Sequence, residues 1–250
     1  MKILLTNDDG IYAEGICALY RCLSLDHEVV VVAPEAERSA VGHAITLSEP
    51  LRVRVVRRGR DFWGYAINGT PADCVKLAFY ELVGPVDLVV SGINRGANVG
   101  INVLYSGTVS AATEAAILGL PALAVSLAAY RNESYCFAAY FVATILEDIF
   151  NWPLPRPFCL NINIPNLPAH RIKGVKFTRQ GVRKLRERFE KRVDPHGHIY
   201  YWQCGEEFQE EDEETDVVAI KQGFISITPL YHDLTQHKVL HLLRNTEVSF

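Results

Sequence analysis

The sequence has no run near the roughly 18–20 uninterrupted apolar residues that a bilayer-spanning helix needs, so no membrane is expected as a partner. Its opening stretch, Met1-Lys2-Ile3-Leu4-Leu5-Thr6-Asn7-Asp8-Asp9, turns polar after three consecutive apolar residues. That is too short for the apolar core of a signal peptide, and it reads as a buried strand. An excess of basic charge is also missing: 25 Lys and Arg stand against 29 Asp and Glu, a formal net charge of -4. Bulk electrostatics therefore do not favour a nucleic acid as a stable partner, although a local basic site remains open. The six cysteines (Cys17, Cys22, Cys74, Cys136, Cys159, Cys204) include no C-x-x-C pair. In an intracellular chain of this size they point to reduced thiols rather than a disulfide framework or a zinc–cysteine site. Together these absences lead us to expect a cytoplasmic protein.

Several nucleotide and hydrolase signatures are absent as well. No G-x-G-x-x-G follows the first apolar run; an Asp-Asp-Gly turn stands there instead and would repel a bare pyrophosphate, which disfavours a dinucleotide-binding Rossmann domain. No G-x-x-x-x-G-K-[ST] occurs, so this is not a P-loop NTPase. The G-x-S-x-G nucleophile elbow is missing too. There is no internal repeat and no linker rich in Gly or Ser.

With 250 residues, 49% of them hydrophobic, the chain has ample material for a core. The first two thirds alternate short β-rich runs with helical patterns. Lys2 to Thr6 is an apolar run, Gly15 to Leu25 carries Ile16, Leu19, Tyr20 and Leu23 at helical spacing, and Val29 to Val32 is an unbroken valine run. Runs of that kind fit strands buried on both faces of a parallel sheet. Thr70-Pro71-Ala72-Asp73 has the composition of a helix start, with Thr as N-cap and an acid three residues on. Strands are predicted at Val86 to Ser91, Pro121 to Leu127 and Phe158 to Ile164, and helices at Thr108 to Leu118 and about Ser134 to Phe150. The pattern is α/β, a doubly wound, mostly parallel, Rossmann-like sheet.

The last third changes character. From His170 to Arg192 there are ten Lys and Arg against Glu187 and Glu190, and from Glu206 to Asp216 there are eight acids and no base. Such blocks either lie solvated or face each other across an extended β arm or a subunit boundary. We take residues 1–180 as the α/β catalytic core and 181–250 as a C-terminal arm and oligomerisation extension. Pro195-His196-Gly197-His198 reads as a turn with exposed histidines rather than a metal-binding H-x-H element.

Ligands of open parallel sheets sit beyond the carboxyl ends of the strands, where the strand order reverses. Three polar clusters fall at such ends. Asn7-Asp8-Asp9-Gly10 places adjacent carboxylates after the first strand; they suit a hard divalent cation, or form an ordinary Asx turn. Ser91 to Gly100 combines glycines, which let a backbone approach an anion, with Asn94 and Asn98. Tyr105-Ser106-Gly107-Thr108-Val109-Ser110 leads into a helix, whose free N–H groups and dipole suit a phosphate, or whose hydroxyls simply cap it. Gathered at one sheet edge, the clusters describe a phosphohydrolase. A cation on Asp8 and Asp9 neutralises phosphate charge, a metal-activated water attacks phosphorus, and one aspartate takes the proton.

These residues resemble the survival protein SurE family. The resemblance is carried by Ile3-Leu4-Leu5-Thr6-Asn7-Asp8-Asp9-Gly10, Val32-Ala33-Pro34 with Arg38-Ser39, Gly69-Thr70-Pro71-Ala72-Asp73-Cys74-Val75, Ser91 to Gly100, and Tyr105-Ser106-Gly107-Thr108-Val109. Later, Asn161-Ile162-Asn163-Ile164-Pro165 and Ile227-Thr228-Pro229-Leu230 match more loosely. The resemblance implies a SurE-like fold and removal of phosphate from nucleoside 5′- and 3′-monophosphates with Mg²⁺ or Mn²⁺. It implies Asp8, Asp9, Ser39 and Asn94 as metal ligands, Asp8 and Asp9 as the catalytic pair, and Asn98, Ser106, Gly107 and Thr108 as phosphate contacts. It also implies a homodimer or homotetramer assembled through the C-terminal arm. Two rivals stay open. One is a receiver-like regulatory module, which also holds Mg²⁺ on an acidic pair but needs a phosphoacceptor aspartate where this chain has Ser91, Gly92 and Asn94. The other is a phosphatase with an aspartyl nucleophile, whose carboxylates are usually spaced D-x-D rather than adjacent.

Overall fold

The strand that opens the chain, β1 (Lys2–Thr6), sends Ile3 and Leu5 to one face of a sheet and Leu4 to the other, and all three side chains are fully buried. Burial on both faces is why the run is continuously apolar rather than alternating. In the computed structural model, which describes residues 1–59, 61–129, 134–183, 185–208 and 210–246, the same construction recurs along the chain. After β1 come α1 (Glu14–Leu23), β2 (Glu28–Pro34), β3 (Val53–Arg58), β4 (Asp61–Ile67), α2 (Pro71–Leu77), β5 (Leu88–Arg95), α3 (Gly107–Ile117) and β6 (Ala122–Ala128). Next are α4 (Tyr135–Asn151), β7 (Cys159–Pro165), β8 (Val175–Phe177), β9 (Leu185–Val193), β10 (Ile199–Phe208), α5 (Asp216–Lys221), β11 (Ile225–Leu230) and α6 (His237–Leu243).

Nine strands make one sheet in the order β3-β4-β2-β1-β5-β6-β7-β11-β8. From β4 to β7 every neighbouring pair is parallel. Helices α1 and α4 bury Ile16, Leu19, Val142 and Leu146 against one face, while α2 and α3 bury Val75, Ala111 and Ala115 against the other. The fold is the doubly wound α/β sheet that the strand and helix spacing predicts. The chain lays β2 on one side of β1 and β5 on the other, so the order reverses between β1 and β5. A crevice opens at such a reversal.

Local sequence explains the helix starts around it. Thr70 caps α2 through its hydroxyl, Asp73 returns the bond to the Thr70 N–H, and Pro71 occupies the first turn. Ser106 caps α3, its hydroxyl oxygen accepting from Val109 N at 3.1 Å. Two antiparallel additions were not assigned from sequence. The edge strand β3 carries Arg54, Arg57 and Arg58, which hide a strand's alternation while protecting an exposed edge. Strand β11 joins β7 antiparallel and β8 parallel, so the chain returns to the main sheet after its hairpin.

That hairpin, β9–β10, pairs only with itself. Asp194 closes its turn by accepting from His196 N at 2.8 Å and His198 N at 2.9 Å, which gives the two histidines a turn's role. At its root the opposite charge blocks meet: Arg179 pairs with Asp212, and Arg183 lies 3.6 Å from Glu210. Lys184 and Gln209, at its two ends, lie outside the described residues. All six cysteines are free. Among the described residues no helix is long and apolar enough to cross a membrane.

One contact ties the core to the crevice. A Cβ on Gly15, in the first turn of α1, would run into the backbone carbonyl of Ile93 in β5, so the helix lies directly on the strand that carries Asn94. Gly15→Ala must force the two apart. We expect it to cost about 1–3 kcal/mol or more in urea unfolding.

Candidate active site

The chain leaves β1 through a turn in which Asn7 Nδ2 donates to the Gly10 carbonyl at 2.9 Å. The Asx turn and the acidic pair are thus the same feature. Asp8 is 4% exposed, and burial pushes its carboxyl above the ordinary carboxylate range, against the Thr108 hydroxyl that donates to Oδ1. Asp9 is half-buried. Its carboxyl is pushed up to about 6, first by burial and then by the charge of Asp8, while Oδ2 accepts from Arg95 N at 3.3 Å.

Two loops bring further oxygens. Beyond β2, Arg38 N donates to the Asp8 carbonyl at 2.7 Å, which holds the 35–42 loop against the turn and sets Ser39 beside it. The Ser39 hydroxyl donates to Glu37 at 2.6 Å. In β5 the register shifts between Ser91 and Asn94, a bulge that re-aims the strand end. Asn94 spends its amide N–H on the Gly96 carbonyl at 2.8 Å, which leaves the amide oxygen as what it has to offer. Asp8, Ser39, Asn94, Asn98 and Ser106 line a single cavity of about 660 Å³. Gly107 and Thr108 stand behind Asp8 rather than in the lining, and Asp9 adjoins the cavity at Arg95, from whose N–H it accepts.

The residues of α3 divide accordingly. Thr108 is fully buried with its hydroxyl on Asp8, and a Cβ at Gly107 would stand 2.8 Å from the Asp8 Cβ. The missing side chain lets the helix N-terminus close on the carboxylate, where its dipole favours negative charge. Ser106 reaches the cavity while capping the helix.

Asn98 is held from three sides. Its N–H donates to Asn163 Oδ1 at 2.8 Å, its carbonyl accepts from Asn161 Nδ2 at 2.8 Å and Asn163 Nδ2 at 3.1 Å, and its own Nδ2 donates to Ser126 at 2.8 Å. Sequence reasoning gave Ser126, Asn161 and Asn163 no task. The available signal was a polar residue at a buried position of an otherwise apolar parallel strand. His43, four residues past Ser39, instead joins Lys76 on the buried Glu114, at 2.7 and 2.9 Å. Those two partners hold the Glu114 carboxyl below its usual range, His43 first.

The oxygens fit a hard cation. Two carboxylates, an amide oxygen and a hydroxyl form an all-oxygen set with no soft ligand. No ion pair among the described residues reaches Asp8 or Asp9. Nearby, Asn7 Oδ1 is buried without a partner. Among the described residues no group of three or more His, Cys, Asp or Glu gathers to hold a metal, so a cation here would depend on two acids supplemented by neutral oxygens.

Comparisons with known proteins bear on family and fold. The family model described as survival protein SurE matches residues 3–187. A protein of Syntrophus aciditrophicus named 5′-nucleotidase SurE is 56% identical over 98% of this chain and 93% of its own length. One of the same name from Syntrophobacter fumaroxidans is 53% identical over 97% and 98%. The crystal structure of the SurE protein from Aquifex aeolicus superposes with a TM-score of 0.85 at 43% identity, covering 98% of each chain.

Two outcomes follow from the acidic pair. An acid whose folded-state pKa lies above its unfolded value costs stability once ionised; for Asp9 that cost is absent below about 3.8 and complete above about 6. Asp9→Asn should therefore stabilise the metal-free protein at pH 7.5 by on the order of 1–2 kcal/mol, after allowance for solvent at a half-buried group. Denaturation of both proteins across pH 4–8 should show the gain shrink as pH falls through 6. Gly107→Ala should push α3 off Asp8 and lower turnover of phosphomonoesters at least about tenfold, measured with the fold checked by circular dichroism.

Proposed function

This chain belongs to the survival protein SurE family, and from that premise we propose that it is a divalent-metal-dependent phosphohydrolase acting on nucleoside 5′- and 3′-monophosphates. The observation that carries the reading is the pair of buried Asp8 and half-buried Asp9 at the sheet's switch point, with no side-chain cation paired to it among the described residues, beside the N-terminus of α3. The metal ligands are Asp8, Asp9, Ser39 and Asn94. When bound, a cation such as Mg²⁺ or Mn²⁺ neutralises phosphate oxygens and makes water a competent nucleophile near neutral pH.

The chain's own groups do the rest. Asn98 and Ser106, in the cavity wall, supply donors to the phosphate oxygens, and the end of α3 adds its dipole. Gly107 and Thr108 act behind them by fixing Asp8. Water adds to phosphorus as the bond to the nucleoside oxygen breaks, and one carboxylate of the pair takes the proton that the nucleophile sheds. The leaving alkoxide is protonated from solvent at the open mouth. A receiver-like module lacks support, because the end of β5 offers Ser91 and Asn94 where a phosphoacceptor carboxylate is required.

A homodimer or homotetramer is supported by apolar surface on the extension: Phe189, Tyr201 and Trp202 on the hairpin and Leu234, Leu242 and Leu243 around α6 are all exposed. Residues 1–180 as catalytic core and 181–250 as assembly arm suit that reading, with β11 anchoring the arm in the sheet. Six free cysteines suit a cytoplasmic setting.

Phosphate release from a panel of 5′- and 3′-nucleotides, with Mg²⁺, with Mn²⁺ and with chelator, tests the reading. We expect turnover only with a divalent cation, and a fall of at least about 100-fold in Asp8→Asn without loss of fold. Turnover that survives chelation, or its absence from folded, metal-supplied protein, contradicts it.

A further inference from the structure

The cavity that contains Asp8 is larger than phosphate requires. Its volume of about 660 Å³ falls among those that hold whole drug-sized ligands. Its two ends differ in chemistry. Asp8, Asn98 and Ser106 are buried and form the deep end. At the rim stand Asn102, Tyr105 and Gln203; Tyr105 is 55% exposed, and Gln203 is exposed too.

Asn102 and Tyr105 belong to the same loop as the phosphate contacts, but Gln203 does not. It lies on β10 of the separate hairpin, opposite Phe189 of β9, and shares that face with Tyr201 by strand alternation. The hairpin thus bends back to complete the wall of the catalytic cavity. What it brings is a carboxamide, which offers a hydrogen-bond donor and an acceptor side by side. Nucleobase edges present complementary pairs of the same kind, and an aromatic ring gives a base a face to stack on. Asn102, Tyr105 and Gln203 carry no charge, while the exposed Arg95 also lines the cavity, so these three residues suit a neutral group joined to an anionic phosphate.

We propose that Gln203, with Asn102 and Tyr105, forms the nucleoside subsite, so that the hairpin arm selects the substrate that the sheet edge dephosphorylates. This rests on the nucleotidase reading. It makes Gln203 a specificity residue outside the motifs that identify the family, on the part of the chain with the least recognisable sequence.

The test separates the two ends of the cavity. KM for a nucleoside 5′-monophosphate reports both ends, whereas competitive inhibition by inorganic phosphate reports the deep end alone. Gln203→Ala and Gln203→Met, the second keeping length without the carboxamide, should each raise KM for the nucleotide about 5–10-fold and change phosphate inhibition less than about twofold. Tyr105→Ala should do the same, with Tyr105→Phe restoring most of the loss if the ring acts by stacking. KM and phosphate inhibition moving together, or neither moving in the Gln203 variants, overturns the subsite and leaves the nucleotidase reading standing. A wild-type protein that cleaves simple phosphomonoesters but no nucleotide overturns both.

Discussion

The structure is organised around an electrostatic debt: two adjacent carboxylates at the end of a fully buried strand, one itself buried, with no side-chain cation paired to them among the described residues. Burial disfavours their ionised forms, and the charge of Asp8 further disfavours ionisation of Asp9. A folded domain gains nothing in stability from such a pair. Its presence makes sense where an external cation offsets the charge, and the surrounding oxygens match that need.

Much of the fold can be understood as the means of holding this arrangement. The reversal of strand order between β1 and β5 opens the crevice, and the bulge in β5 carries Asn94 to its edge. The close approach of α3, allowed by Gly107 and fastened by Thr108, places a helix N-terminus on Asp8. Farther out, Asn161 and Asn163 fix the backbone of Asn98, and Asp216 accepts from Gly100 N at 3.0 Å and Gly181 N at 2.9 Å. The last contact joins the phosphate-side loop to the root of the hairpin, so the loop and the arm that supplies Gln203 share one buried carboxylate.

The parallel strands were legible because double burial leaves unbroken apolar runs, as in Val29 to Val32, and α2 because Thr70-Pro71-Ala72-Asp73 carries its own capping chemistry. The pair β3–β4 was not, since arginines on an exposed edge strand erase the alternation. At the site, Asp8 and Asp9 stood out because adjacent acids after a buried strand are costly. Ser39 carried no such signal and was reached only through family resemblance; an exposed serine in a loop is common, and what sets it here is the Arg38 N–H on the Asp8 carbonyl. Thr108 was legible as a polar helix start but not as a partner of Asp8, because that contact spans 100 residues of sequence. Gln203 was invisible for the same reason, being brought to the cavity by a hairpin whose path no local pattern encodes.

The central claim is that the pair at the end of β1 holds a divalent cation. Anomalous scattering from crystals grown with Mn²⁺ tests it most directly, because it locates the ion without relying on turnover. The account predicts one strong peak within about 2.0–2.6 Å of carboxylate oxygens of Asp8 and Asp9, with the Asn94 amide oxygen in the same shell. A peak bound elsewhere, or none at that turn in Mn²⁺-saturated protein, contradicts it.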